Sequence, residues 1–111
     1  MKIRDLLAVE SIELNGKAGS KKVALDKAVD LMAKSGKISD IDVYRKGVYA
    51  REEESTTGIG EGIAIPHCKS DAVKKPGLAA MVVPNGVDFD SLDEKKVNLI
   101  FLQYYLLYLH Y

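Results

Sequence analysis

The sequence predicts an α/β domain, a mixed β-sheet flanked by helices, and two observations predict it. Residues 20–35 and 40–54 carry apolar side chains at helical spacing behind a capping residue. Around them lie short apolar runs of both strand kinds, continuous at 63–65 and 78–83, broken only by Asn98 at 97–102, and alternating at 87–89. Helices mixed with such strands bury their apolar faces by stacking in layers. At 111 residues the chain has room for one domain and one core.

Taken in order, residues 1–10 read as a short helical turn and 11–14 as a brief strand with Ile12 and Leu14 on one face, ended by Asn15-Gly16. Ser20 is the N-cap of a helix running to about Ser35, with Val23, Ala24, Leu25, Ala28, Val29, Leu31 and Met32 recurring at helical spacing and Gly36 as its stop. Lys21, Lys22, Asp26, Lys27, Asp30 and Lys34 fall largely on the opposite, solvated face. A second helix starts after Ser39 or Asp40, buries Ile41, Tyr44 and Val48, and reaches about Glu54 with Arg51 in its last turn. Gly47 weakens it by roughly 1 kcal/mol relative to alanine, so tertiary packing must hold it. After a glycine loop and the strand at 63–65, residues 68–77 read as an irregular connection. Residues 78–83 form a strand, Pro84-Asn85-Gly86 turns it into a hairpin with 87–89, 91–96 is a polar turn, and 97–102 is the next buried strand.

Composition narrows the function. Apolar residues are 47% and charged residues 29%, as in ordinary globular domains. Sixteen basic and sixteen acidic side chains cancel, so net charge points to no nucleic-acid or anionic-membrane partner. The single cysteine, Cys68, excludes an internal disulfide framework and fits a reducing cytoplasm. The amino terminus does not read as a secretory signal. A membrane span needs about 18 or more apolar residues; residues 97–111 are the longest candidate, are shorter than that, and hold Asn98, Gln103 and His110.

Chemistry concentrates in Thr56-Thr57-Gly58-Ile59-Gly60-Glu61-Gly62-Ile63-Ala64-Ile65-Pro66-His67. Glycines uncover backbone amides and allow positive φ, so such a loop is expected to wrap an anion. Pro66 fixes the backbone immediately before His67. An imidazole held rigidly beside an anion-binding loop is what a histidine carrying a phosphoryl group requires. Imidazole is an uncharged nucleophile near neutral pH, provided that one nitrogen keeps its proton while the other attacks phosphorus. The equatorial oxygens need donors, for which the amides around Gly58, Gly60 and Gly62, the hydroxyls of Thr56 and Thr57, and the planar guanidinium of Arg51 are candidates.

Each assignment has a plainer rival. A lone histidine after a proline is more often structural, and only the surrounding motif lifts it above that reading. Pairing of Arg51 with Glu52, Glu53 or Glu54 at a helix end is a weak surface arrangement and the lesser of its two readings, whereas Thr56 and Thr57 are equally loop or cap residues. The three glutamates read as a solvated helix end that also offers carboxylates to a basic partner. Cys68 beside His67 lacks the further ligands of a metal site, and the glycine spacing matches neither a P-loop nor a dinucleotide fingerprint.

The run from Arg51 to His67 resembles the active-site signature of the IIA component of bacterial sugar phosphotransferase systems, fructose/mannitol class, and looser similarity extends from Met1 to Leu102. The resemblance implies a cytoplasmic phosphoryl carrier. His67 would accept phosphate from the phosphocarrier protein and donate it to a cysteine of a IIB domain, assisted by Arg51. The IIB domain then phosphorylates the sugar during import, and no metal or organic cofactor is needed by this component.

Past Leu102 the likeness fails. Family members continue with a small loop, a second functional histidine and two closing helices, whereas Gln103-Tyr104-Tyr105-Leu106-Leu107-Tyr108-Leu109-His110-Tyr111 holds four of the six tyrosines. His110 lies near the second histidine's place, but its neighbours do not match. The expectation is therefore an incomplete IIA-like domain over residues 1–102, with its C-terminal helices missing, and an atypical apolar tail over 103–111. Sheet surface left uncovered would favour self-association. The alternatives are a nitrogen-type regulatory IIA module and an inactive truncated fragment.

Overall fold

The computed structural model describes residues 3–69 and 77–105. Its elements are α1 (Ile3–Leu6), β1 (Leu7–Glu13), α2 (Lys21–Ala33), α3 (Ile41–Glu54), β2 (Gly58–Gly60), β3 (Ile63–Ala64), β4 (His67–Lys69), β5 (Gly77–Val87) and β6 (Val97–Tyr105). The strands form one mixed sheet in the order β1-β5-β6-β3-β2, with β4 also paired to β6. β5 and β6 run antiparallel at its centre; β1 lies parallel to β5, and β3 and β4 lie parallel to β6.

Both long helices begin as the sequence predicts. The Ser20 side chain accepts the Val23 amide at 3.2 Å and Asp40 accepts Val43 at 3.1 Å, each satisfying a donor that the first helical turn leaves open. α2 closes through short-range turn bonds onto Gly36, whose φ of +73° lets the chain leave the helix. The core lies between these helices and one face of the sheet: Ala24, Leu25, Ala28, Val29 and Met32 from α2, Tyr44 and Val48 from α3, and Ala79, Met81, Val83, Val97, Ile100 and Leu102 from the sheet. Alternation along β5 and β6 puts Met81 opposite Ile100 and Ala79 opposite Leu102 on this face. Arg45 clasps the helices together through Asp26 at 3.2 Å and Asp30 at 2.6 Å. The hydrogen bond that Arg45 donates to Asp30 is the main cause that raises the Arg45 pKa above its ordinary value.

Several expectations need correction. The helical turn stops at Leu6, and Leu7 already belongs to β1. That strand ends at Glu13, so Leu14 falls just past it and is exposed, while on the strand Ser11 is buried and its hydroxyl donates to the Leu31 carbonyl at 2.9 Å. Val23 lies outside the buried stripe of α2. Pro84, Asn85 and Gly86 do not turn a hairpin: they bulge β5, the register shifts between Val82 and Val87, and Val87 goes on to pair with Val97. Phe89 is fully buried but lies outside any strand. The connection expected at 68–77 starts later, because His67–Lys69 pair with β6; residues 70–76 lie outside those described. The strand expected over 97–102 is longer, since β6 continues to Tyr105 opposite β4 and β5.

Candidate functional site: a histidine at a strand break

β3 and β4 follow one line along β6, and Pro66 interrupts it. Ile63 and Ala64 pair with Leu99 and Ile100, and His67 with Gln103. Proline has no amide to donate, so the ladder skips there, and only the Pro66 carbonyl is used, accepting the Gln103 amide at 2.9 Å. His67 emerges at this corner, half-buried. Its Nδ1 lies 3.0 Å from the Ile65 carbonyl oxygen. A carbonyl accepts only, so Nδ1 carries the proton and Nε2 is left as the nitrogen with the lone pair. This carbonyl is the tautomer-fixing partner that the sequence does not identify.

His67 lines a cavity of about 390 Å³ with Gly47, Ala50, Arg51, Glu54 and Cys68. The last two turns of α3 therefore form the wall facing the imidazole. Arg51 donates to the Ser55 carbonyl at 3.0 Å and to the Ser55 hydroxyl at 3.4 Å. Gly47 explains how helix and corner meet, since a Cβ there would lie 2.2 Å from Cys68 Sγ. Burial pushes the Cys68 thiol up from its ordinary pKa, which keeps it protonated and poorly nucleophilic at neutral pH. Among the described residues no cluster of histidine, cysteine, aspartate or glutamate is arranged to hold a metal ion.

The structure does not bring the other expected phosphate ligands into this cavity. Thr57 is buried, and Glu52 takes both its amide and its hydroxyl, each at 2.7 Å. The Thr56 hydroxyl donates to the Phe89 carbonyl at 2.7 Å and accepts the Gly58 amide at 3.0 Å. Gly58 packs on Ser91, where a Cβ would lie 2.4 Å from the hydroxyl oxygen, and Gly60 packs on Asp93. The glycine stretch is a tight hairpin: β2 and β3 are antiparallel, and its two central residues, Glu61 and Gly62, have φ of +58° and +78°. The tip amide, Glu61 N, does bind an anion, but it is the chain's own Asp93 carboxylate at 3.0 Å. That bond and the Lys95 amide hold Asp93 below its usual carboxylate pKa, with the Lys95 contribution the larger.

Glu52 is the residue that sequence reasoning missed. Expected on a solvated helix end, it is 7% exposed and pairs with Lys21 at 3.0 Å. Lys21 also sits 4.9 Å over the Phe89 ring. The available signal was the position of Glu52 just before a Thr-Gly turn, where a helix-end carboxylate meets open amides.

Comparison with known proteins fits this arrangement. The model of the family described as phosphoenolpyruvate-dependent sugar phosphotransferase system, EIIA 2, matches residues 5–104. The chain belongs to that family, whose members are phosphotransfer proteins. It is 41% identical over 102 residues to the fructose-specific EIIABC component of Bacillus subtilis, covering 92% of this chain and only 16% of that relative. Among solved structures it is similar to the nitrogen regulatory protein IIA-Ntr of Neisseria meningitidis, with a TM-score of 0.82, 35% identity, and coverage of 92% of this chain and 69% of that one. It is also similar to the Escherichia coli mannitol IIA in complex with phosphorylated IIB, with a TM-score of 0.82, 27% identity, and coverage of 95% and 75%. No helix among the described residues is long and apolar enough to cross a membrane.

Proposed function

We propose that the chain is a cytoplasmic phosphoryl carrier of a sugar phosphotransferase system, working through Nε2 of His67. The observation that carries this reading is the proton-bearing Nδ1 held on the Ile65 carbonyl, in a cavity shared with Arg51. Phosphoryl transfer is mostly positioning and charge stabilisation. Nε2 attacks the phosphorus of the phosphocarrier protein's phosphohistidine; one P–N bond breaks as another forms, and the Nδ1 proton stays in place. Arg51 leaves the Ser55 carbonyl to hold two phosphoryl oxygens through its planar fork. The phosphoryl group then passes to a cysteine sulfur of a IIB domain, with a P–N bond exchanged for a P–S bond. The Bacillus subtilis relative supports a fructose-type system, and the mannitol complex supports a IIB partner.

A second reading, a regulatory module whose phosphorylation state governs partner binding, is supported by the likeness to IIA-Ntr. The test is phosphorylation of the purified chain by phosphoenolpyruvate, enzyme I and the phosphocarrier protein, followed by addition of a fructose-type IIB domain. Label that appears on the chain and moves to IIB supports the carrier. Label that stays favours the regulatory module, and no label on a cooperatively folded chain rejects both.

A further inference from the structure

We infer that Glu52 is a positioning residue for His67, an inference that rests on the proposed carrier function. The Glu52 carboxylate has three donors: Oε1 takes the Thr57 amide at 2.7 Å and the Lys21 ammonium at 3.0 Å, and Oε2 takes the Thr57 hydroxyl at 2.7 Å. Gripping one residue through both its backbone and its side chain fixes the orientation of that residue as well as its place. The Thr57 carbonyl then accepts the Ile65 amide at 3.0 Å, and the Ile65 carbonyl holds His67 Nδ1 at 3.0 Å. Three steps thus join the carboxylate to the imidazole.

The route starts on the element that also carries Arg51, the residue before Glu52. Adjacent helical residues point about 100° apart. Arg51 lines the His67 cavity while Glu52 turns inward onto the chain that presents the ring. A second tether leaves the same helix: the buried Tyr44 hydroxyl donates to the Gln103 carbonyl at 2.7 Å, and the Gln103 amide holds the Pro66 carbonyl at 2.9 Å. The placement of imidazole against guanidinium is therefore set by α3 at two points, Ile65 through Glu52 and Thr57, and Pro66 through Tyr44 and Gln103. Burying a carboxylate for packing alone is costly, since a charge away from water is tolerated only when paired and hydrogen-bonded. Lys21, fixed over Phe89, supplies the pairing, and Thr57 supplies the bonds.

The test uses the full chain labelled with 15N in its histidines, as parent, Glu52→Ala and Glu52→Gln. Two readouts are taken: the ring-nitrogen signals of unphosphorylated His67, and the rate of phosphate acceptance against phosphocarrier concentration. Glu52→Ala is expected to unfold cooperatively, to populate both His67 tautomers, and to lose roughly tenfold or more in maximal rate through misplacement of the nucleophile. KM for the phosphocarrier should stay within about twofold, because the docking surface is untouched. Glu52→Gln, which keeps an acceptor and a donor for Thr57, should restore the parent tautomer and most of the rate. If Glu52→Ala does not fold, Thr57→Val replaces it and is held to the same results. A folded variant with the parent ring signals would overturn the inference. So would equal loss of rate in Glu52→Ala and Glu52→Gln at an unchanged tautomer. Failure of the parent itself to accept phosphate would reject the carrier function, while the ring signals would still decide the role of Glu52.

Discussion

The hairpin carrying Gly58, Gly60 and Gly62 and the corner carrying Pro66 and His67 belong to one short motif but use the absence of ordinary chemistry in opposite ways. In the hairpin, missing side chains are filled by the chain itself: Ser91 stands over Gly58, Asp93 over Gly60, and Asn98 over Gly62. At the corner, a missing amide breaks the sheet ladder and turns an imidazole into a cavity. Glycine here makes room for protein, and proline makes room for chemistry. In the proposed carrier, anion stabilisation is therefore assigned to the α3 wall, where Arg51 lines the His67 cavity.

The largest effect that sharpens the comparison is expected from Arg51→Ala. Loss of the guanidinium should lower the rate of phosphoryl transfer by about 100-fold while leaving the thermal transition unchanged, as for removal of a transition-state donor. An Arg51→Ala variant that transfers phosphate at the parent rate would return the anion site to the glycine stretch. Gly58→Ala should act oppositely. Its new Cβ meets the Ser91 backbone at 3.0 Å, which no rotamer relieves. Overpacking of this kind costs about 1–3 kcal/mol, to be read from urea unfolding, while the folded fraction should still take phosphate at His67. A smaller effect is expected at the join between helix and corner. Gly47→Ala drives a methyl into Cys68 Sγ, but the residue gains helix propensity of roughly 1 kcal/mol. The net loss should be modest and should disappear in Gly47→Ala/Cys68→Ala, where the clash is gone. A double variant no more stable than the single one would show that Gly47 serves something other than this contact.

These contrasts also show what the sequence makes legible. The two helices, with caps at Ser20 and Asp40, were readable because caps and apolar spacing are local chemistry. His67 stood out in the sequence as the candidate centre because a proline, a histidine and a preceding arginine stand in a fixed order, and the fold places that arginine and the imidazole on one cavity. The hairpin made by the glycine stretch was not, since an open amide and the Glu61 amide already taken by Asp93 look identical in a sequence, and the partner lies 32 residues away. Glu52 was hidden for the same reason. A run of three glutamates at a helix end reads as solvated until Lys21, 31 positions earlier, is seen against the middle of the fold. The hairpin expected at Pro84-Asn85-Gly86 failed because turn residues also make a β-bulge, and the long-range pairing of Val87 with Val97 decided between them.

The measurement that tests the account most directly is the position of the phosphoryl group on the ring. The chain, labelled with 15N in its histidines and phosphorylated by the phosphocarrier protein, would be examined by phosphorus–nitrogen coupling, with His67→Ala as the control. The account predicts a single phosphohistidine at His67, with phosphorus on Nε2 and the proton kept on Nδ1. Phosphorus on Nδ1, or label that survives in His67→Ala, would contradict it.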